Sequence, residues 1–276
     1  MVTTNQILTY GLVGVAGALM IKKASRRGSY LDVNFIERTA LTHNVDHYKF
    51  AFKSNNTPKT IPILSKVHLK TPDNQKGEYT PIFNDDEGYI HFMIKNYHRT
   101  ASGALAQLQP GAEGIRITKP HKHFKEEVPL DKFKQVYLIG AGVGLAPLWG
   151  YMNACLEKPE SPTKIKLIYA NHSKDDIIFK KELDDLKTKY SDRLEVVHVL
   201  KTQVDGKESD FTKYVGSRLN NEMLKNELST GAGDDDVKVF VCGPKKFVSM
   251  VCGSPWWYGG ALKELGFKKG QLYMFH

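Results

Sequence analysis

From residue 135 onward the sequence alternates short apolar runs with helix-length segments, and that alternation admits few folds. Residues 135–139 read as a buried strand, and an apolar helix follows to about Leu156. Residues 165–169 form a second strand that leads into a helix predicted over 176–190, and residues 194–200 form a third. Residues 237–241 supply a fourth strand and residues 271–275 a fifth. Strands alternating with helices predict a parallel, doubly wound α/β sheet, whose ligands bind beyond the carboxyl ends of the strands. The loops after Ile139, Tyr169 and Val241 are therefore expected to form one site.

Those three loops carry the unusual residues. The first holds Gly140, Gly142 and Gly144, with Pro147 just inside the next helix. Glycines let backbone approach a pyrophosphate closely, and a helix N-terminus attracts anions. By itself the loop is equally a tight turn, because no glycine stands where a GxGxxG pattern would end. The second loop holds Asp175 and Asp176. A carboxylate past the second strand can accept hydrogen bonds from a ribose and repel a 2′-phosphate, or it can cap the helix that follows. The third loop is Cys242, Gly243 and Pro244, in which a lone cysteine reads as packing at least as well as chemistry.

Residues 31–119 have a different texture. Residues 89–94 put Ile90, Phe92 and Ile94 on one face, and strand-like runs recur at 33–36, 48–52 and 115–117 with turn residues between them. This predicts a small antiparallel barrel. The chain accordingly divides into residues 1–28, a barrel domain at 29–125 and an α/β domain at 126–276.

Residues 1–21 contain no charged side chain, and Lys22, Lys23, Arg26 and Arg27 follow at once. A helix of about 20 residues rises about 30 Å, enough for a hydrocarbon core. Because the basic cluster follows the apolar run, the order is that of a retained transmembrane anchor rather than a cleaved signal peptide. The positive-inside rule then keeps the globular part in the cytosol, at the mitochondrial outer membrane or the endoplasmic reticulum. The alternative is a buried core helix.

The net charge of +9 favours an acidic partner. The basic residues are scattered, without zinc-finger spacing or an aromatic RNA-binding strand, so nucleic acid is not expected. The three cysteines form no CxxC pair, and His121 and His123 lack further ligands at zinc spacing, so no metal is expected and the two histidines read as a solvated loop. The stretch at Pro255, Trp256 and Trp257 is expected to bury itself against the last helix, with contact to a partner or lipid as the other reading.

Taken in order, the loops resemble those of the NADH-cytochrome b5 reductases. The segment LIGAGVGLAPL at 138–148 is similar to the GxGTGxxP nucleotide loop, and YANHSKDDIIFKKEL at 169–183 to the segment ANxxxxDILLRxEL. Residues 242–244 match the CGP motif, and residues 265–275 resemble the terminal LGY…F ending. The resemblance implies that Gly140, Gly142, Gly144 and Pro147 face the NADH pyrophosphate and that Asp176 selects NADH over NADPH. It implies that Cys242 lies near the reacting rings, with Gly243 and Pro244 shaping its loop and Phe275 close by.

In the first half, Tyr79 and Thr80 match the flavin motif Arg-x-Tyr-Thr, with Gly77 in place of the arginine. Residues 93–97 resemble IIKVY, which assigns Lys95 and Tyr97 to the flavin, and Ser102 stands in a shortened form of the flavin-phosphate loop. His68 is the histidine of a GxH motif without its glycine. The implied catalytic residues are Thr80 and Cys242, the cofactors FAD and NADH, and the acceptor an acidic haem protein such as cytochrome b5. The competing expectation is a degenerate reductase fold that acts as a nucleotide-sensing or scaffold protein at a membrane.

Overall fold

The computed structural model describes residues 30–53, 61–84, 88–124, 127–202, 212–228, 231–254 and 257–275. The expected anchor at 1–28 lies outside the described residues, as do Pro255 and Trp256. Among the described residues, no helix is long and apolar enough to cross a membrane.

The first half is antiparallel. Its strands are β1 (Tyr30–Ala40), β2 (Val45–Phe52), β3 (Ser65–Lys70), β4 (Lys76–Tyr79), β5 (Phe83–Asn84), β6 (Tyr89–Lys95) and β7 (Arg116–Thr118), in the order β4-β3-β7-β1-β2-β6-β5. A short β8 (His121–Lys122) pairs with β3 off that path, and one short helix, α1 (Ala101–Ala106), precedes β7. Alternation along the strands turns Val33, Phe35, Tyr48, Phe50, Val67, Leu69, Ile90, Phe92 and Ile94 into one core.

The face expected for Ile90, Phe92 and Ile94 is therefore present, but β6 is buried on both sides. Met93, on its other face, joins Val45, Leu64 and Ile82 in a second core shared with Val136, Leu145 and Trp149 of the following half. The two halves thus share one apolar cluster.

The second half is a parallel sheet of β9 (Gln135–Ala141), β10 (Lys164–Asn171), β11 (Leu194–Leu200), β12 (Thr212–Val215), β13 (Val237–Cys242) and, last in the chain, β16 (Leu272–Met274). The spatial order β12-β11-β10-β9-β13-β16 puts β9 at the centre, with β10 on one side and β13 on the other. Chain direction reverses its march across the sheet there, which opens a crevice at the carboxyl ends. The helices are α2 (Leu145–Leu156), α3 (Lys180–Lys189), α4 (Asn221–Glu227), α5 (Lys245–Cys252) and α6 (Gly260–Glu264).

The helix expected over 176–190 is broken. A 3-10 turn covers Lys174–Asp176, Phe179 takes a left-handed φ of 55°, and α3 starts only after it. Phe179 then packs on Trp149, the rings tilted with centroids 4.7 Å apart, while Ile177 and Ile178 are buried, so packing outweighs helical continuity. Strand β12 has no counterpart in the sequence reading. Between α5 and α6 lies a small hairpin of β14 (Gly253–Ser254) and β15 (Trp257–Tyr258). The expected burial of Trp257 is corrected here: its side chain is 72% exposed, with Lys263 Nζ 5.6 Å from the ring centre.

Candidate active site

The loops after β9, β10 and β13 face the β4 and β6 side of the barrel across a cleft of about 980 Å³. From the parallel half it is lined by Gly142, Gly144, Pro147, Asp176, Cys242, Gly243 and Pro244, and from the barrel by Tyr79, Thr80, Lys95 and Tyr97. Three other predicted positions sit behind the wall. Ser102 is buried, Gly140 packs so closely on Leu148 that a Cβ would come within 2.9 Å of it, and Phe275 is 5% exposed.

The glycine loop is built from backbone. Gly142 has φ +55°, and nothing lies within 4 Å of where its Cβ would be, so it turns left-handed and offers bare peptide to the cleft. The Tyr169 hydroxyl, rising from β10, donates to the Gly142 carbonyl at 3.0 Å and holds that turn. At Gly144 any Cβ would collide with the Cys242 carbonyl, so the first and third loops touch main chain to main chain. Pro147 falls in the first turn of α2, where its missing N–H has no helical partner to lose.

Cys242 ends β13 and reaches the cleft only in part. Burial pushes its thiol up to about 12, so it is neutral at physiological pH and is not a nucleophile. At Asp176 both sequence readings meet. Its Oδ2 accepts from Ser173 N–H at 2.9 Å and from the Ser173 hydroxyl at 2.6 Å, closing a capping box around the 3-10 turn. Its Oδ1 lies 3.8 Å from His43 Nδ1. The carboxylate lines the cleft but is already engaged.

Side chains make the barrel wall. Thr80 Oγ1 is 3.0 Å from His123 Nε2, and the imidazole stands edge-on to Phe275 at 5.0 Å. Burial first, and then the charge of Lys66, draw His123 down to about 4, so it is neutral. His121 is exposed as expected, although it lies in strand β8 rather than a loop, whereas the fold turns His123 inward. No motif signals that; it follows from β8 lying along β3 and from the His123 N–H bonded to the Leu64 carbonyl at 2.9 Å.

Tyr79 folds back along its strand, so that a Cβ on Gly77 would stand 2.5 Å from the Tyr79 hydroxyl. Its ring meets Phe92 edge-on at 6.3 Å and its hydroxyl reaches Ser102, while burial pushes its pKa up to about 12. Ser102 Oγ also accepts from Tyr97 N–H at 3.1 Å and lies 2.9 Å from Thr100 Oγ1. Basic residues that the motifs did not mark, Lys201, Arg218, Lys245 and Lys246, complete the rim.

An oxidoreductase FAD-binding domain matches residues 32–125, and an oxidoreductase NAD-binding domain matches residues 138–253. The chain is 33% identical to NADH-cytochrome b5 reductase 2-B of Vanderwaltozyma polyspora, with 89% of this chain and 82% of that protein covered. It is 32% identical to NADH-cytochrome b5 reductase 2 of Candida albicans, with 89% and 83% covered. The chain belongs to the NADH-cytochrome b5 reductase family.

The reductase is thus an oxidoreductase whose cofactors are FAD and NADH. Its fold is that of the cytochrome b5 reductase domain of Ulva prolifera nitrate reductase, with a TM-score of 0.73, 22% identity and coverage of 90% of this chain and 97% of that one. The CS-b5R domains of human Ncb5or are similarly alike, with a TM-score of 0.74, 23% identity and coverage of 90% and 70%. The residues present fit these cofactors unevenly. The bare peptide at Gly142 suits a dinucleotide phosphate, and the Thr80 and Lys95 side chains suit a flavin. At Gly77, however, there is no side chain to hold a phosphate, and the position is covered by Tyr79.

Proposed function

We propose that the reductase carries electrons from NADH through FAD to an acidic haem protein such as cytochrome b5, and that its N-terminal segment holds it on a membrane facing the cytosol. The observation that supports this reading is the cleft itself, which is lined by Thr80 of one half together with Cys242 and the glycine loop of the other. When bound, FAD accepts hydride from NADH and releases the electrons singly. The chain's part is to bind and orient. Backbone at Gly142 and Gly144, with Gly140 and Pro147 setting the turn, would receive the NADH pyrophosphate, and Asp176 the ribose. Cys242, a neutral thiol on a loop shaped by Gly243 and Pro244, would sit on the nicotinamide side of the cleft and help to keep water out. The neutral His123, backed by Phe275, fixes the Thr80 hydroxyl, which would meet the flavin, while Tyr79, Lys95, Tyr97 and Ser102 would form the rest of that wall.

The net charge of +9 supports an acidic electron acceptor. The uncharged run at 1–21 with its basic flank supports a single-pass anchor at the mitochondrial outer membrane or the endoplasmic reticulum. The test is NADH-driven reduction of a purified cytochrome b5 by the full chain, followed at the haem absorbance as salt is raised. The rate is expected to fall with salt. NADH oxidation with ferricyanide but none with the haem protein would remove the acceptor, and protein that neither holds flavin nor oxidises NADH would restore the scaffold reading. Membrane fractions extracted with carbonate should retain the full chain, and its recovery in the soluble fraction would remove the anchor.

A further inference from the structure

His68, Glu78 and His121 come from three strands, β3, β4 and β8, yet their ligand atoms all lie within 4.8 Å of one another. Register brings this about. His68 stands opposite Glu78 across the β3–β4 ladder, and β8 runs beside the start of β3 with His121 opposite Lys66. His68 Nε2 is 3.9 Å from Glu78 Oε2, and the two imidazoles are 5.4 Å apart at 30°. The His68 and Glu78 side chains are 46% and 33% exposed, so a cation reaches them without opening the fold. Among the described residues this is the one such cluster.

We propose that these three side chains form a binding site for a divalent transition metal of the Zn²⁺ class. Two imidazoles and a carboxylate are a donor set that Zn²⁺ accepts, with water completing a tetrahedron, whereas Mg²⁺ and Ca²⁺ take oxygen ligands. Ligands on a tetrahedral Zn²⁺ stand about 3.4 Å apart, given bonds of about 2.0–2.1 Å, so exposed side chains need to close by at most about 1.4 Å from their 4.8 Å limit. Lys66 Nζ holds Glu78 Oε1 at 2.9 Å, which orients the carboxylate with Oε2 toward His68. The ammonium also repels a cation and keeps the affinity moderate.

Glu78 runs directly into Tyr79 and Thr80, and His121 lies two residues before His123. A bound metal therefore ties together the two segments that pair Thr80 with His123. That consequence for turnover rests on the proposed role of Thr80, whereas metal binding itself does not.

The experiment is calorimetric titration of ZnCl₂ into untagged, chelator-treated full-length protein, with Co²⁺ absorbance reporting the coordination. One Zn²⁺ per chain is expected, and excess Mg²⁺ is not expected to displace it. His68→Gln and His121→Gln should each weaken binding by about tenfold or more. His98→Gln, on an exposed loop elsewhere, should change nothing. Absence of stoichiometric binding, or binding indifferent to both His68→Gln and His121→Gln, would overturn the site. NADH oxidation measured on the metal-free chain separates the two readings, since its failure leaves the titration unaffected.

Discussion

The two walls of the cleft are made of different material. The wall from the parallel half is backbone: Gly142 presents bare peptide, and Gly144 lets the loop after β9 touch the loop after β13. The wall from the barrel is side chain: Thr80 leans on His123, Tyr79 on Ser102, and Ser102 on Tyr97 and Thr100. A backbone wall survives most substitutions outside its glycines, because main chain is the same in every residue. A side-chain wall can change one contact at a time, and Gly77 stands where the resemblance to the family expects an arginine. The comparison predicts that single substitutions damage the first wall abruptly and tune the second by degrees.

The largest effect is expected at Gly144. An alanine Cβ there would meet the carbonyl of Cys242 and come within 2.9 Å of Gly243 Cα, both main chain where β13, the neighbour of central β9, runs into its loop, and backbone there cannot move aside cheaply. Overpacking of this kind costs about 1–3 kcal/mol, so kcat/KM for NADH in Gly144→Ala should fall by about tenfold or more, with a lower Tm. Flavin content should stay at the wild-type level, because the barrel wall is untouched. Equal loss of flavin and NADH turnover would break the division into two walls.

The next test is pH. Each half carries one histidine that burial draws down to about 4: His123 in the barrel wall and His198 on β11 beside Tyr169. In the unfolded chain such groups protonate near pH 6.5, so between about 6.5 and 4 the unfolded state binds more protons than the folded one. Stability should therefore fall as pH drops through that window and level off below it. Urea unfolding at steps from pH 7 to 4 should show the decline, and His123→Gln and His198→Gln should each flatten it. If only His198→Gln does so, the imidazole beside Thr80 is more hydrated than its packing implies.

What could be read from the sequence follows the same division. Glycine spacing, apolar runs and the CGP loop announce a parallel sheet and its crevice, since all of them are local. Cross-strand register is not local, and the inward turn of His123, the outward face of Met93 and the grouping of His68 with Glu78 and His121 all depend on it. The break at Phe179 was hidden for a related reason: residues 176–190 have a helical composition, and only the seat against Trp149 shows why the chain leaves the helix.

Gly77→Arg sharpens the comparison from the weak side. A charge-assisted bond to a buried phosphate contributes about 1.5–3 kcal/mol, but the arginine must first displace Tyr79 from Phe92 and Ser102. The edge-on ring contact alone offsets about 0.5–1.5 kcal/mol of the gain. Wild-type protein is expected to purify with less than one FAD per chain, and Gly77→Arg should bind FAD about tenfold tighter. Flavin absorbance against added FAD measures both. Weaker flavin binding in the variant would mean that the folded-back Tyr79 is itself the flavin contact and that the strand has re-formed its site without an arginine.

The smallest effect is expected at Asp176, a side chain set in the backbone wall. A free carboxylate facing a ribose would favour NADH over NADPH strongly, but here Oδ2 is taken up by Ser173 and Oδ1 faces His43. Lys201 and Arg218 on the same cleft add positive charge that attracts a 2′-phosphate. The discrimination left to Asp176 is therefore modest, and Asp176→Asn should narrow the NADH:NADPH ratio of kcat/KM only a few-fold, by about 1 kcal/mol. Asparagine keeps an oxygen for the Ser173 N–H, whereas alanine removes it, so Asp176→Ala should lose in addition about 1 kcal/mol of stability through the cap. Comparing the two variants separates the charge from the cap. If Asp176→Asn leaves the ratio unchanged while Asp176→Ala lowers the Tm, the carboxylate is a capping group alone and selectivity belongs to the rest of the loop.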